Sequence, residues 1–163
     1  MCLKLGWLYS GILFFYCNIS VALDLGASIP ECVLKNIADG SNIQLRQSGK
    51  VLYIDFWASW CAPCAQSLPF LESLNQEFQN KNFEVIAINL DEVKSDADNF
   101  LHQHPLKLTT AINPDGACPN LFQVQAMPSS YLIDRHGKVR HIQLGFNQAE
   151  KNQLRQRLEK VLN

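Results

Sequence analysis

The stretch Val51-Leu52-Tyr53-Ile54-Asp55-Phe56-Trp57-Ala58-Ser59-Trp60-Cys61-Ala62-Pro63-Cys64 decides how the rest of the chain reads. Its first six residues form an apolar run broken only by Asp55, as a central strand covered on both faces requires. Residues 61–78 follow as a helix, with Leu68, Leu71, Leu74 and Phe78 spaced to make one apolar stripe. Two cysteines two residues apart therefore stand where a strand hands over to a helix, placed to cycle between dithiol and disulfide. At that helix start, unpaired N–H groups and aligned peptide dipoles favour the thiolate of Cys61. Pro63 suits the first helical turn, where its missing N–H costs nothing.

Working outward, residues 31–36 and 42–45 read as short strands around the turn Ala38-Asp39-Gly40-Ser41, an N-terminal hairpin. Pro69 falls inside the helix and is expected to kink it. Residues 83–90 are the next strand, and residues 91–103 hold a helix that ends before Pro105. A short strand at 109–112, the turn Asn113-Pro114-Asp115-Gly116 and a short helix near 119–122 follow. Residues 129–134 and 138–145 make a hairpin turning at Arg135-His136-Gly137, and residues 148–162 close the chain as an amphipathic helix. Strands and helices alternate first, then an antiparallel hairpin and a last helix arrive. That order predicts an α/β three-layer sandwich with a mixed central sheet.

The 163 residues suffice for one domain with a full core. A net charge of −1, with no lysine- or arginine-rich block, gives no sign of a nucleic-acid partner. Residues 5–19 are almost wholly apolar after a single Lys4 and end in Ser20-Val21-Ala22, with small residues at the two positions a signal peptidase inspects. Residues 1–22 are therefore expected to be a cleaved secretory signal, leaving a domain over residues 23–163. The same run is long enough to serve as an uncleaved anchor, since a bilayer takes roughly 20 helical residues. Lipidation at Cys17 fits less well, because Phe14-Phe15-Tyr16 lacks the usual small residue before a lipidated cysteine. In each case the domain is expected to be periplasmic or otherwise extracytoplasmic, where disulfide chemistry is at home. Cys2 and Cys17 lie in the leader, so Cys32, Cys61, Cys64 and Cys118 remain.

Three separated features resemble the thioredoxin fold. They are Trp60-Cys61-Ala62-Pro63-Cys64 on the strand-to-helix turn, Pro69 inside the following helix, and Met127-Pro128 just ahead of Ser129-Ser130-Tyr131-Leu132-Ile133-Asp134. The last resembles the family's cis-proline loop, and from that resemblance a cis bond is expected at Met127-Pro128. The stretch between Cys64 and Pro128 is longer than in a minimal thioredoxin by about one strand plus one helix. That inserted strand-helix, the N-terminal hairpin and the leader resemble the TlpA/ResA-type branch of extracytoplasmic thiol–disulfide oxidoreductases of bacteria. Two departures stand out: Asp55 occupies a position where that branch often has Asn and cytoplasmic thioredoxins have Asp. The proline loop also lacks the Gly-Val-x-Gly-Ala-Pro-Glu pattern of cytochrome c maturation thioredoxins. The resemblance implies an enzyme that reduces protein disulfides, needs no cofactor, and is re-reduced by a membrane electron donor of the DsbD or CcdA kind.

The candidate catalytic residues are Cys61 as nucleophile, Cys64 as resolving thiol and Asp55 as the proton acceptor for Cys64. The alternation Tyr53, Asp55, Trp57 places Asp55 on one strand face beneath the helix, where desolvation raises its pKa. Trp57, Trp60, Met127 and Pro128 are the candidate partner-binding residues. A structural zinc site would need four ligands, and His102 with His104 are spaced to opposite sides of a helix. A thioether at Met127 beside two thiolates suits Cu(I), so a periplasmic copper-binding protein using the same pair is the alternative function. A peroxidase fits badly, since the Pro-x-x-x-Thr-x-x-Cys pattern is missing. Cys32 and Cys118 leave two readings, a structural disulfide or buried free thiols. Glu84 and Asp91 read as solvated strand ends, and His136 and His141 as surface residues.

Overall fold

The computed structural model describes residues 23–46 and 49–163. The expected leader at residues 1–22 lies outside the described residues. Among those described, no helix is long and apolar enough to cross a membrane.

The elements run β1 (Leu34–Asn36), β2 (Asn42–Ile43), β3 (Val51–Trp57), α1 (Ala62–Phe78), β4 (Phe83–Asn89), α2 (Lys94–Gln103), β5 (Thr109–Ile112), α3 (Cys118–Leu121), β6 (Ser129–Ile133), β7 (Val139–Leu144) and α4 (Lys151–Leu162). Single 3₁₀ turns at Gln79–Lys81 and Gln148–Glu150 extend α1 and introduce α4. The seven strands form one sheet in the order β2-β1-β5-β4-β3-β6-β7. β3, β4 and β5 run parallel, and β6 lies antiparallel against β3 with β7 outside it. The β1–β2 hairpin closes the other edge antiparallel to β5. This is the expected mixed sheet, with two strand–helix units, β4–α2 and β5–α3, between the cysteine pair and the proline loop.

β3 is central because its sequence allows nothing else. All seven of its residues are buried, and a strand with no solvated face needs neighbours on both edges and layers on both sides. One layer packs Tyr53, Trp57, Val85 and Ala87 of the sheet against Leu68, Leu71 and Leu74 of α1, Ala97 of α2, and Leu154 and Leu158 of α4. The opposite layer covers Leu52, Ile54, Phe56, Ile86 and Tyr131. It is built mainly from the N-terminal segment, with Ile29 and Leu34, and from Cys118 and Phe122 at the two ends of α3. The second layer is thus largely non-helical. The Tyr131 hydroxyl donates to the Phe122 carbonyl at 2.7 Å, which ties α3 to the sheet.

Asn82, at φ 53°, takes the left-handed conformation that closes the turn after α1. Its carbonyl accepts from Val51 N at 2.9 Å, so the chain re-enters the sheet beside β3. α1 continues through Pro69, whose missing N–H removes one intrahelical bond without ending the helix.

Of the two readings for the remaining thiols, the structure shows the disulfide: Cys32 and Cys118 are bonded, with Cα atoms 5.4 Å apart and a separation of 86 positions in sequence. The bridge pins the segment ahead of β1 to the start of α3. Closing a loop of that length removes conformational entropy from the unfolded chain and so favours the folded state. Replacing Cys32 and Cys118 together by Ala should lower the unfolding free energy by about 2–5 kcal/mol in a urea titration. The potential of the Cys61–Cys64 pair should stay where it was.

Candidate active site

Cys61 is the N-cap of α1 and Cys64 lies one turn in. The two are joined in a disulfide with S–S 2.04 Å and Cα–Cα 5.2 Å. Cys64 N donates to Cys61 Sγ at 3.3 Å, so the backbone donor that would hold a thiolate already faces that sulfur in the oxidised state. Cys61 keeps 4% of its surface and Cys64 has none, so an approaching sulfur meets Cys61 first.

The loop between β3 and α1 is held from an unexpected direction. Ser59 N and Ser59 Oγ donate to the Asp91 carboxylate at 3.0 and 2.9 Å, and Asn89 Nδ2 donates to it at 2.7 Å. Asp91 is therefore an anchor for the active-site turn rather than the solvated strand end its sequence suggested. Glu84 is not free either, since it pairs with Lys50 at 2.8 Å and accepts from Thr109 Oγ1 at 2.8 Å. No sequence signal links Ser59 to a carboxylate 32 residues away; only the parallel pairing of β3 and β4 brings them together.

Two tryptophans expected to bind partners part company. Trp60 is 69% exposed. Trp57 corrects the expectation: β3 extends to include it, so its side chain points into the core, fully buried, with its ring 5.1 Å from that of Phe100. It forms the floor under the cysteines, whose side chains share its cluster, and no partner can touch it. Met127–Pro128 is a cis peptide bond. Met127 is half-buried and Pro128 buried. Met127 and Trp60 both line a groove of about 750 Å³ that also takes in Leu90, Glu92, Ile112 and Pro119.

Asp55 is completely buried, on the strand face that carries Tyr53 and Trp57. Its Oδ1 accepts from Ser130 Oγ at 2.5 Å, while Oδ2 has no hydrogen-bond partner. Burial pushes its pKa up to about 7, against the opposing hydrogen bond from Ser130. A carboxyl poised near neutrality with one free oxygen is equipped to take up and release a proton.

Among the described residues no three His, Cys, Asp or Glu side chains converge as a metal site needs. His102 sits in the last turn of α2, and His104 caps that helix with its ring 4.8 Å from Phe100. His136 stands in the β6–β7 turn and donates its backbone N–H to Asp134. His141 lies on β7, half-buried rather than on the open surface.

Comparison with known proteins agrees with this geometry. The family model described as Redoxin matches residues 24–162. The thiol-disulfide oxidoreductase ResA of Bacillus cereus is 32% identical over 155 residues, covering 94% of this chain and 86% of its own length. A Chlorobium tepidum structure, assigned as the thiol:disulfide interchange protein DsbE, superposes with a TM-score of 0.82 at 40% identity, covering 87% of this chain and all of that one. The thioredoxin domain of a thiol-disulfide oxidoreductase from Bacteroides vulgatus shares the fold at a TM-score of 0.75 and 20% identity, over 87% of this chain and all of that domain.

The raised pKa of Asp55 has a consequence for stability. In the unfolded chain the carboxyl ionises near its ordinary 3.8, whereas in the folded protein it holds its proton to about 7. The folded state binds the extra proton in between, so stability is lost as pH rises through that window. Asp55→Asn removes the loss. The variant should match wild type near pH 4 and exceed it at pH 8 by about 3–5 kcal/mol, read from denaturant titrations at the two pH values. A constant difference across that range would place the Asp55 pKa at its ordinary value.

Proposed function

This chain belongs to the Redoxin family and is a thiol–disulfide oxidoreductase, and on that premise we propose that it works outside the cytoplasm as a reductase of protein disulfides. Cys61 is the nucleophile, Cys64 the resolving thiol and Asp55 the proton acceptor. The observation that carries this reading is the Cys64 N–H directed at Cys61 Sγ on the helix start, which stabilises a thiolate at the more accessible sulfur.

In the reducing direction the Cys61 thiolate attacks one sulfur of a partner disulfide, and the other partner sulfur leaves as a thiolate. Cys64 then loses its proton to Asp55 and attacks Cys61 Sγ. The Cys61–Cys64 bond forms, and the second partner sulfur departs. Two electrons have passed from the dithiol to the partner. Trp60 and the Met127–Pro128 loop, at the edge of the groove, receive the polypeptide around the reacting sulfur, with backbone groups available for strand-like pairing. The oxidised product must be re-reduced from outside, and a membrane dithiol carrier of the DsbD or CcdA type is the donor that suits an extracytoplasmic site. The apolar run ahead of residue 23 and the Cys32–Cys118 disulfide support that location. The same run, if uncleaved, would tether the domain to the membrane.

The direction of electron flow follows from Ala62-Pro63, which resembles the Gly-Pro of reducing thioredoxins, and from the absence of a His after Cys61. Equilibration against glutathione should return a potential on the order of −200 to −270 mV. A value near the roughly −120 mV of DsbA would make the protein an oxidant and remove the need for a donor.

Cys64→Ser should stall the cycle after the first step. DTT-sensitive adducts of Cys61 with other proteins should then accumulate on non-reducing gels and vanish in the Cys61→Ser, Cys64→Ser double variant. Adducts that survive in the double variant would show that Cys61 is not the attacking thiol.

A further inference from the structure

A buried carboxyl that takes a proton in every cycle must also lose it in every cycle, and Asp55 has no surface of its own. The sheet face that carries it holds a polar file. Asp55 on β3 stands opposite Ser130 on β6, and Ser130 stands opposite Gln143 on β7. Residues opposite each other on neighbouring strands share a face, so these three side chains lie in a row across an otherwise apolar layer.

The contacts along the row are specific. Ser130 Oγ donates to Asp55 Oδ1 at 2.5 Å. Tyr53, two residues before Asp55 on the same face, interacts with the Ser130 hydroxyl and feels the charges of both Asp55 and Glu150. Gln143 Nε2 donates to Glu150 Oε2 at 3.2 Å. Exposure rises in the same order: Asp55, Tyr53 and Ser130 are buried, while Gln143 and Glu150 are half-buried. The file ends in a cleft of about 250 Å³ between β7 and α4, lined by His141, Gln143, Glu150, Gln153 and Arg157 among others. None of the cleft's residues lines the groove beside the disulfide.

We propose that this file is the path by which Asp55 exchanges its proton with solvent, with the Ser130 and Tyr53 hydroxyls as relays and the cleft under α4 as its mouth. The inference rests on Asp55 being the proton acceptor for Cys64. Its physical motive is geometric: a partner held on Cys61 covers the groove side of the site during the resolving step, and the cleft stays open. When Cys64 attacks Cys61 Sγ, the thiol proton passes to Asp55. The carboxyl turns its protonated oxygen to Ser130 Oγ and delivers the proton there. The hydroxyl proton of Ser130 moves to the Tyr53 oxygen, and the phenol proton leaves toward the cleft, where the Glu150 carboxylate, whose charge Tyr53 feels, draws it out to solvent. One proton leaves Cys64 and one arrives at the cleft; no electron travels along the file. The charged and titratable groups around the path are Asp55 and Tyr53 of β3, His141 of β7, Glu150 of the turn before α4 and Arg157 of α4.

The test is single-turnover resolution of a disulfide-bonded peptide by the reduced full chain, followed by tryptophan fluorescence from pH 5 to 9 in H₂O and D₂O. Asp55→Asn should slow resolution by about a hundredfold. Ser130→Ala should lower the alkaline plateau by about tenfold and change the solvent isotope effect, and Ser130→Thr, which keeps the hydroxyl, should restore the rate. Glu150→Gln should lower the plateau without altering the Cys61–Cys64 potential. A purely structural Ser130 would behave differently: losing its hydrogen bond would shift the midpoint of the profile to higher pH and leave the plateau unchanged, which would overturn the relay. Equal losses in Ser130→Ala and Ser130→Thr would overturn it too. Wild-type rates in Asp55→Asn would sink the assignment of Asp55 itself. A slow Asp55→Asn beside a wild-type Ser130→Ala would sink the relay alone.

Discussion

The hydrogen-bonded burial of β3 is the constraint from which the rest of the molecule takes its positions. The strand is paired in parallel with β4 on one edge and antiparallel with β6 on the other, and both of its faces are covered. Each pairing delivers something the site needs. The β4 pairing ends at Asn89, and the chain just beyond it places Asp91 under the Ser59 turn. The β6 pairing sets Ser130 opposite Asp55 and brings the cis Met127–Pro128 bond to the same end of the sheet as the cysteines. A strand with a free edge or a wet face could do neither.

The same burial explains how one structure can hold opposite electrostatic demands a few residues apart. Cys61 sits where α1 begins, with the positive end of the helix and a backbone N–H facing its sulfur, which favours the anionic thiolate. Asp55 sits in the dry layer beneath, where desolvation favours the neutral acid. One environment lowers the cost of a negative charge and the other raises it. On the proposed mechanism, that difference is what lets Asp55 take the proton of the second thiol. The cost is borne as reduced stability at neutral pH, and the rest of the core has to offset it.

Among the contacts that add to that offset, one spans a long stretch of sequence. The Cys32–Cys118 bridge holds the non-helical layer onto the sheet. Arg155 reaches Glu77 at 3.0 Å and ties α4 to α1, although an ion pair this exposed contributes little. Beside the disulfide, Trp60 stays open to solvent while Trp57 is sealed in. The site thus has one exposed aromatic surface beside it and one apolar floor beneath it.

The strand, the helix start and the two cysteines were legible in the residues themselves, because each is written in local chemistry. Apolar runs, helical spacing and proline placement act over a few residues, and the expected elements appear within about three residues of where that spacing put them, the largest offsets falling at the starts of β1, α2 and α4. The redox pair belongs to the same class, since the four residues from Cys61 to Cys64, at the first turn of α1, determine its geometry. The rest depended on which distant segments become neighbours. Ser130 is 75 residues from Asp55, Asp91 is 32 from Ser59, and Cys118 is 86 from Cys32. Strand order decides all three, and strand order has no local signature. Trp57 and Trp60 differ by three positions and by nothing in their side chains. Only the extension of β3 by one residue, and the turn after it, sends one ring into the core and the other into water.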